Sequence, residues 1–192
     1  MNKTRMEAFS DGVIAILITI MVLELRPPEA TTWVALRPLV PVFLAYVLSF
    51  AFLGIYWANH HHLLQLAERV NGGILWANLH LLFWLSMIPF ATAWAGEHHR
   101  EKVPTAVYGI VLVCAAIAYT ILERALVREQ GAGSRLAAAV GSEAKERFSM
   151  VLNLAAIPLA FYKPWISDVM YALIALTWLV PDRRIERRMH QP

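Results

Sequence analysis

Long, nearly uncharged apolar runs recur along this chain, and they restrict its fold more than any other feature. A helix needs roughly 20 residues to cross about 30 Å of hydrocarbon, with a range near 17–25. Stretches near that length run from about Phe9 to Leu25, Leu39 to Ala58, Ile74 to Ala95 and Thr105 to Leu122. Two shorter ones run from about Phe148 to Tyr162 and from Trp165 to Val180. Pro27-Pro28 ends the first, and Pro41 falls in the opening turn of the second, where proline is tolerated. Gly72-Gly73 opens the third, which carries Pro89; Pro104 stands just before the fourth and Pro158 inside the fifth. None of these runs alternates as a strand does, and the ten-residue alternation of a transmembrane barrel is missing. The expectation is an all-α polytopic membrane protein, residues 1–192 forming one domain with six transmembrane helices. The last two segments are short enough to form a re-entrant or interfacial hairpin instead.

Charge then orients the chain. Only 16% of residues are charged, against about a quarter in a soluble domain. With six crossings, twelve of the 17 Lys and Arg fall on the side of the N-terminus, loops 59–73 and 123–147, and the tail. The positive-inside bias places both termini in the cytoplasm of a multi-pass protein of the cell membrane. The basic balance therefore reads as loops facing anionic lipid and not as a nucleic-acid surface. The run from Val13 to Leu25 has no small-residue cleavage site, so the first helix is expected to be retained. Cys114 is the single cysteine, which excludes an intrachain disulfide. Loop 123–147 reads as a solvated, partly helical linker without a catalytic pattern.

The first helix holds the most informative residues. At about 100° per residue, Phe9, Gly12, Ile16, Ile20 and Leu23 share one stripe, with Thr19 at its edge and Asp11 pointing elsewhere. An ordinary lipid-facing or packing face would look the same. An ionisable residue at a membrane helix is costly and calls for a partner, so Asp11 requires Arg5 and the basic N-terminus, a polar group on another helix, or a capping role for Ser10 or Asp11 at the helix start. Trp57 and His61, four residues apart, can share a face of the second helix. His60-His61-His62 resembles a metal cluster, but neighbours on a helix diverge by about 100° and cannot converge on one ion. An interfacial His/Trp belt accounts for them as well. Asn78 and His80 can bond across helices.

Helices two to six have no Asp, Glu, Lys or Arg near their centres, where an ion-coupled carrier usually needs one. A Walker loop, a Gly-x-Ser-x-Gly elbow, a His-Glu-x-x-His pair and the Thr-Val-Gly-Tyr-Gly potassium filter are all missing.

Arg5-x-x-x-Phe9-Ser10-Asp11 at the first helix, Trp57 with His61 closing the second, and Asn78 with Pro89-Phe90 in the third resemble prokaryotic members of the lysosomal potassium-channel family of the transmembrane protein 175 type. The likeness is strongest over about residues 5–95. It implies a homotetramer of six-helix chains whose first helices line a central pore permeable to K+. It further implies apolar constriction rings at Ile16, Ile20 and Leu23, with a Thr19 hydroxyl layer. Arg5, Phe9, Ser10, Asp11, Trp57, His61 and Asn78 would form the polar network that locks the first helix in place. The resemblance implies neither an enzyme nor a metal or cofactor. Two other classes compete: a small secondary transporter or exporter, and a haem or metal protein using His60, His61, His62, His80, His98 and His99.

Overall fold

The computed structural model describes residues 3–131, 133–140 and 143–179, and it is all-helical over them. The helices are α1 (Lys3–Leu23), α2 (Val40–Leu66), α3 (Gly72–Ser86), α4 (Ile88–Glu97), α5 (Lys102–Gln130), α6 (Arg135–Ala139), α7 (Glu143–Tyr162) and α8 (Pro164–Leu179). A 3-10 segment, Trp33–Leu39, leads into α2. Val180, where the last apolar run ends, and the arginine-bearing tail after it lie outside the described residues.

Among the described residues, four stretches are long and apolar enough to cross a bilayer: Lys3–Leu23, Trp33–Leu66, Gly72–Glu97 and Lys102–Gln130. Pro164–Leu179 is apolar but shorter. The helices outrun the apolar runs that announce them. α1 starts in the polar Lys3–Phe9 stretch, α2 continues through the histidines to Leu66, and α5 carries Arg124 and Arg128 before it stops. A hydrocarbon span sets where a helix must be apolar, while the backbone bonds continue until a residue breaks them. For α5 that residue is Gly131, whose φ of 91° lies in the left-handed region while its N–H bonds Val127 O at 3.0 Å.

The third apolar run is broken into α3 and α4 at Met87. Pro89 has no N–H, and its ring crowds the carbonyl four residues earlier, on Leu85. The chain tightens there, with Met87 N bonding Trp84 O at 3.2 Å, and α4 restarts with Pro89 in its first turn. Asn71 caps α3 through its side chain to Ile74 N at 3.0 Å.

In lipid, helix association comes from close packing and interhelical hydrogen bonds. α5 packs against α3, α4, α7 and α8, and α1 lies across α2, α3 and α4. Ser49 and Tyr108 share a hydrogen bond of 2.9 Å, and Thr92 donates to Ser49 at 2.7 Å, joining α2, α4 and α5. α8 approaches α5 at Gly109, where any side chain would collide with the Tyr171 hydroxyl.

Candidate functional site

α1 has two unlike faces. Met6, Ser10, Ile14, Leu17 and Met21 recur every three or four residues and are buried. The opposite stripe, Phe9, Gly12, Ile16, Thr19, Ile20 and Leu23, is exposed, with Leu23 at 77%. Only 28% of the apolar window of α1 and 17% of that of α2 is buried within the protomer, against 50% and 56% for Gly72–Glu97 and Lys102–Gln130. The first two spans therefore carry the largest uncovered apolar surface.

Polar bonds fix which face of α1 turns inward. His60 Nε2 donates to Asn78 Oδ1 at 2.7 Å, Asn78 Nδ2 donates to Ser10 Oγ at 2.9 Å, and Ser10 Oγ donates to Met6 O at 2.8 Å. All three side chains are buried, and the relay ties α2, α3 and α1 together. Ser10 Oγ also lies 3.4 Å from Asn78 Oδ1, but its shorter bond is to Met6 O, so the chain of bonds runs from His60 through Asn78 to the α1 backbone. A buried group left unmatched costs about 1–3 kcal/mol, which makes such a relay specific for one docking of α1.

A second tie sits nearer the surface. Trp57 Nε1 donates to Asp11 Oδ1 at 3.0 Å, which supplies the partner that an acidic side chain on a membrane helix requires. His61 stacks on Trp57, with ring centroids 5.9 Å apart, and its Nδ1 lies 3.4 Å from Glu7 Oε1. Gln65 Nε2 is 2.9 Å from His61 Nε2. Trp57, His61 and Gln65 thus line one face of α2 toward Glu7 and Asp11 of α1.

The structure brings Ser10, Asp11, Trp57, His61 and Asn78 into these ties. It leaves Phe9 and Arg5 on the exposed side of α1; among the described residues Arg5 makes no hydrogen bond or ion pair. Thr19 Oγ1 turns back to Ile16 O at 2.8 Å. Sequence reasoning missed His60 as the partner of Asn78. The signal was there in spacing, since Ser49, Leu53, His60 and Leu64 follow one buried stripe of α2. Yet α2 is apolar nearly all round, so that stripe did not stand out. His80 stays local, accepting from Trp84 Nε1 at 3.0 Å. The consecutive histidines diverge, with His60 inward and His61 on Trp57. Among the described residues no three His, Cys, Asp or Glu side chains converge as metal ligands do.

The helix ties fall within the stretch that known proteins share with this chain. A family model described as endosomal/lysosomal potassium channel TMEM175 matches residues 5–89. A potassium channel of Chryseobacterium sp. (strain P1-3) is 53% identical over 191 residues, covering all of both chains. The endosomal/lysosomal proton channel TMEM175 of Mus musculus is 29% identical over 177 residues, covering 83% of this chain and 35% of that protein. The crystal structure of a lysosomal potassium-selective channel TMEM175 homolog from Chamaesiphon minutus superposes with a TM-score of 0.80 at 30% identity, covering 93% of this chain and 96% of the other. At 53% identity to one relative over its full length, and with the same fold as another, the chain belongs to the TMEM175 family, whose members are membrane channels and not enzymes.

Proposed function

We propose that the protein is a potassium-permeable cation channel in which the exposed stripe of α1 lines the pore. One observation carries the reading: α1 is pinned by Ser10 and Asp11 on one side, and the apolar side left over holds Ile16, Ile20 and Leu23. In this reading that side faces other copies of the chain around a shared axis. A single helix cannot enclose a conduit, so closed rotational symmetry follows, and each residue then becomes a ring. The proposed assembly is a homotetramer of six-crossing chains, embedded in lipid of the cell membrane with both termini cytoplasmic. α7 and α8 supply the last two crossings.

Ile16, Ile20 and Leu23 form the constriction. An apolar ring narrower than a hydrated ion dewets and blocks current without any charge, and slight widening restores conduction. K+ sheds its hydration more readily than Na+, so a tight, weakly coordinating ring favours it. Thr19 adds a hydroxyl layer between the rings. The permeating ion is K+, and no cofactor takes part. A carrier mechanism usually needs an ionisable group at mid-membrane, and helices two to six hold no Asp, Glu, Lys or Arg near their centres.

Planar-bilayer recording of purified protein in asymmetric potassium and sodium chloride tests this. Ile16→Asn is expected to raise the current and lower the preference for potassium. Unchanged current and selectivity would remove Ile16 from the constriction.

A further inference from the structure

A cavity opens between α2, α5, α7 and α8, away from the exposed face of α1. Its volume is about 90 Å³. Phe52, Ile55, Leu112 and Ile174 give it an apolar body. Its polar lining comes chiefly from Asn59, Thr120, Glu146, Ser149 and Asn153.

Asn153 is the informative group. It is 4% exposed, and its Oδ1 is buried without a hydrogen-bond partner among the described residues. Buried acceptors are nearly always matched, so an orphan lining a cavity marks the place of a missing donor. The other polar groups there are engaged differently. Ser149 Oγ already accepts from Trp178 Nε1 at 2.8 Å. Glu146 places a carboxylate on the lining, and Glu123 lies close enough to interact with it. An anionic head group would lie beside the Glu146 carboxylate on the lining and be disfavoured there. The apolar walls, in turn, exclude a strongly hydrated one.

We propose that this cavity is a binding site for a membrane-partitioned amphipath: an apolar body carrying one uncharged hydroxyl, whose O–H donates to Asn153 Oδ1. The body lies against Phe52, Leu112, Ile174 and the Trp178 ring. An occupant here touches Tyr56, next in sequence to the Trp57 that holds α1, and would bridge α2 and α5 to α7 and α8.

Trp178 supplies the readout. The purified full chain in detergent is titrated with 8-bromooctan-1-ol, whose bromine quenches tryptophan on contact, and with 1-bromooctane, which lacks the hydroxyl. The chain has seven tryptophans, so the site's share is the saturable quenching that Trp178→Phe removes. The alcohol is expected to bind about tenfold more tightly than the bromoalkane, the worth of one well-made hydrogen bond. In Asn153→Leu that preference should vanish, with thermal stability held or raised because an unmatched acceptor is gone. 8-Bromooctanoate should bind more weakly than the alcohol. If Asn153→Leu fails to fold, Ala116→Phe, which fills the cavity from α5, should abolish the saturable component. Quenching that never saturates, that survives Trp178→Phe or Ala116→Phe, or an alcohol preference that persists in Asn153→Leu would each overturn the site.

Discussion

The two faces of α1 differ less in apolarity than in what they touch. The inward face carries Ile14, Leu17 and Met21, and the outward face carries Ile16, Ile20 and Leu23. Hydrocarbon is as apolar as leucine, so burial of oily side chains cannot choose between the two. Ser10 makes the choice, because it meets the Asn78 amide on one side of the helix only. Asp11 reinforces it through Trp57. In a membrane helix, a few polar side chains set the rotation that an amphipathic pattern sets in water. The apolar face they leave uncovered is then free to serve an assembly.

That contrast breaks most visibly if the same change is made on each face. Ile14→Asn puts an unmatched amide into a fully buried site and removes packing. It is expected to lower protomer stability by about 3 kcal/mol, read as thermal unfolding of purified protein in detergent. Asn78→Ala strands His60 Nε2 and takes the amide donor from Ser10 Oγ, which keeps its bond to Met6 O, at an expected cost of about 2 kcal/mol by the same assay. His60→Leu in the Asn78→Ala background should recover part of that loss, since the double change removes both partners; no recovery would deny that the two are coupled.

Asp11→Ala sharpens the contrast at its solvent-facing edge. It removes one charge-assisted bond in a half-exposed place, worth about 1 kcal/mol. Yield and oligomer fraction in size-exclusion chromatography should fall, while ion preference in the surviving channels stays as it was. A pure change in selectivity would instead put Asp11 in the ion path. The smallest effect on unfolding belongs to Ile16→Asn, within about 0.5 kcal/mol, because the side chain is 57% exposed in the protomer. A loss comparable with that of Ile14→Asn would show that the two faces are equally packed.

Much of the helical plan was legible because length and lack of charge suffice to mark a span. The apolar runs place α1, α2 and α5, and the stripe through Ile16 and Leu23 can be drawn on paper. The break at Met87 was half legible: Pro89 is plain in the sequence, but whether a membrane helix bends, breaks or absorbs a proline depends on its neighbours. The extension of α5 beyond Leu122 was hidden by its charges, which suit a helix standing out of the hydrocarbon as well as they suit a loop. His60 was hidden for another reason. Three adjacent histidines offer three directions, and only the position of Asn78 on a separate helix selects one of them. The cavity beside Asn153 could not be read at all, since α2 and α5 bound it together with the distant pair α7 and α8.

The most direct measurement asks whether water and ions touch the outward face of α1. Cysteines are placed singly at Ile16, Ile20 and Leu23, and at buried Leu17, in a Cys114→Ser background. A charged thiol reagent is applied during bilayer recording of potassium current. Block at Ile20 and Leu23, partial or slow block at Ile16, and no change at Leu17 are expected if this face borders the conduit. Current untouched at all three outward positions would place them against lipid and contradict a pore lined by α1.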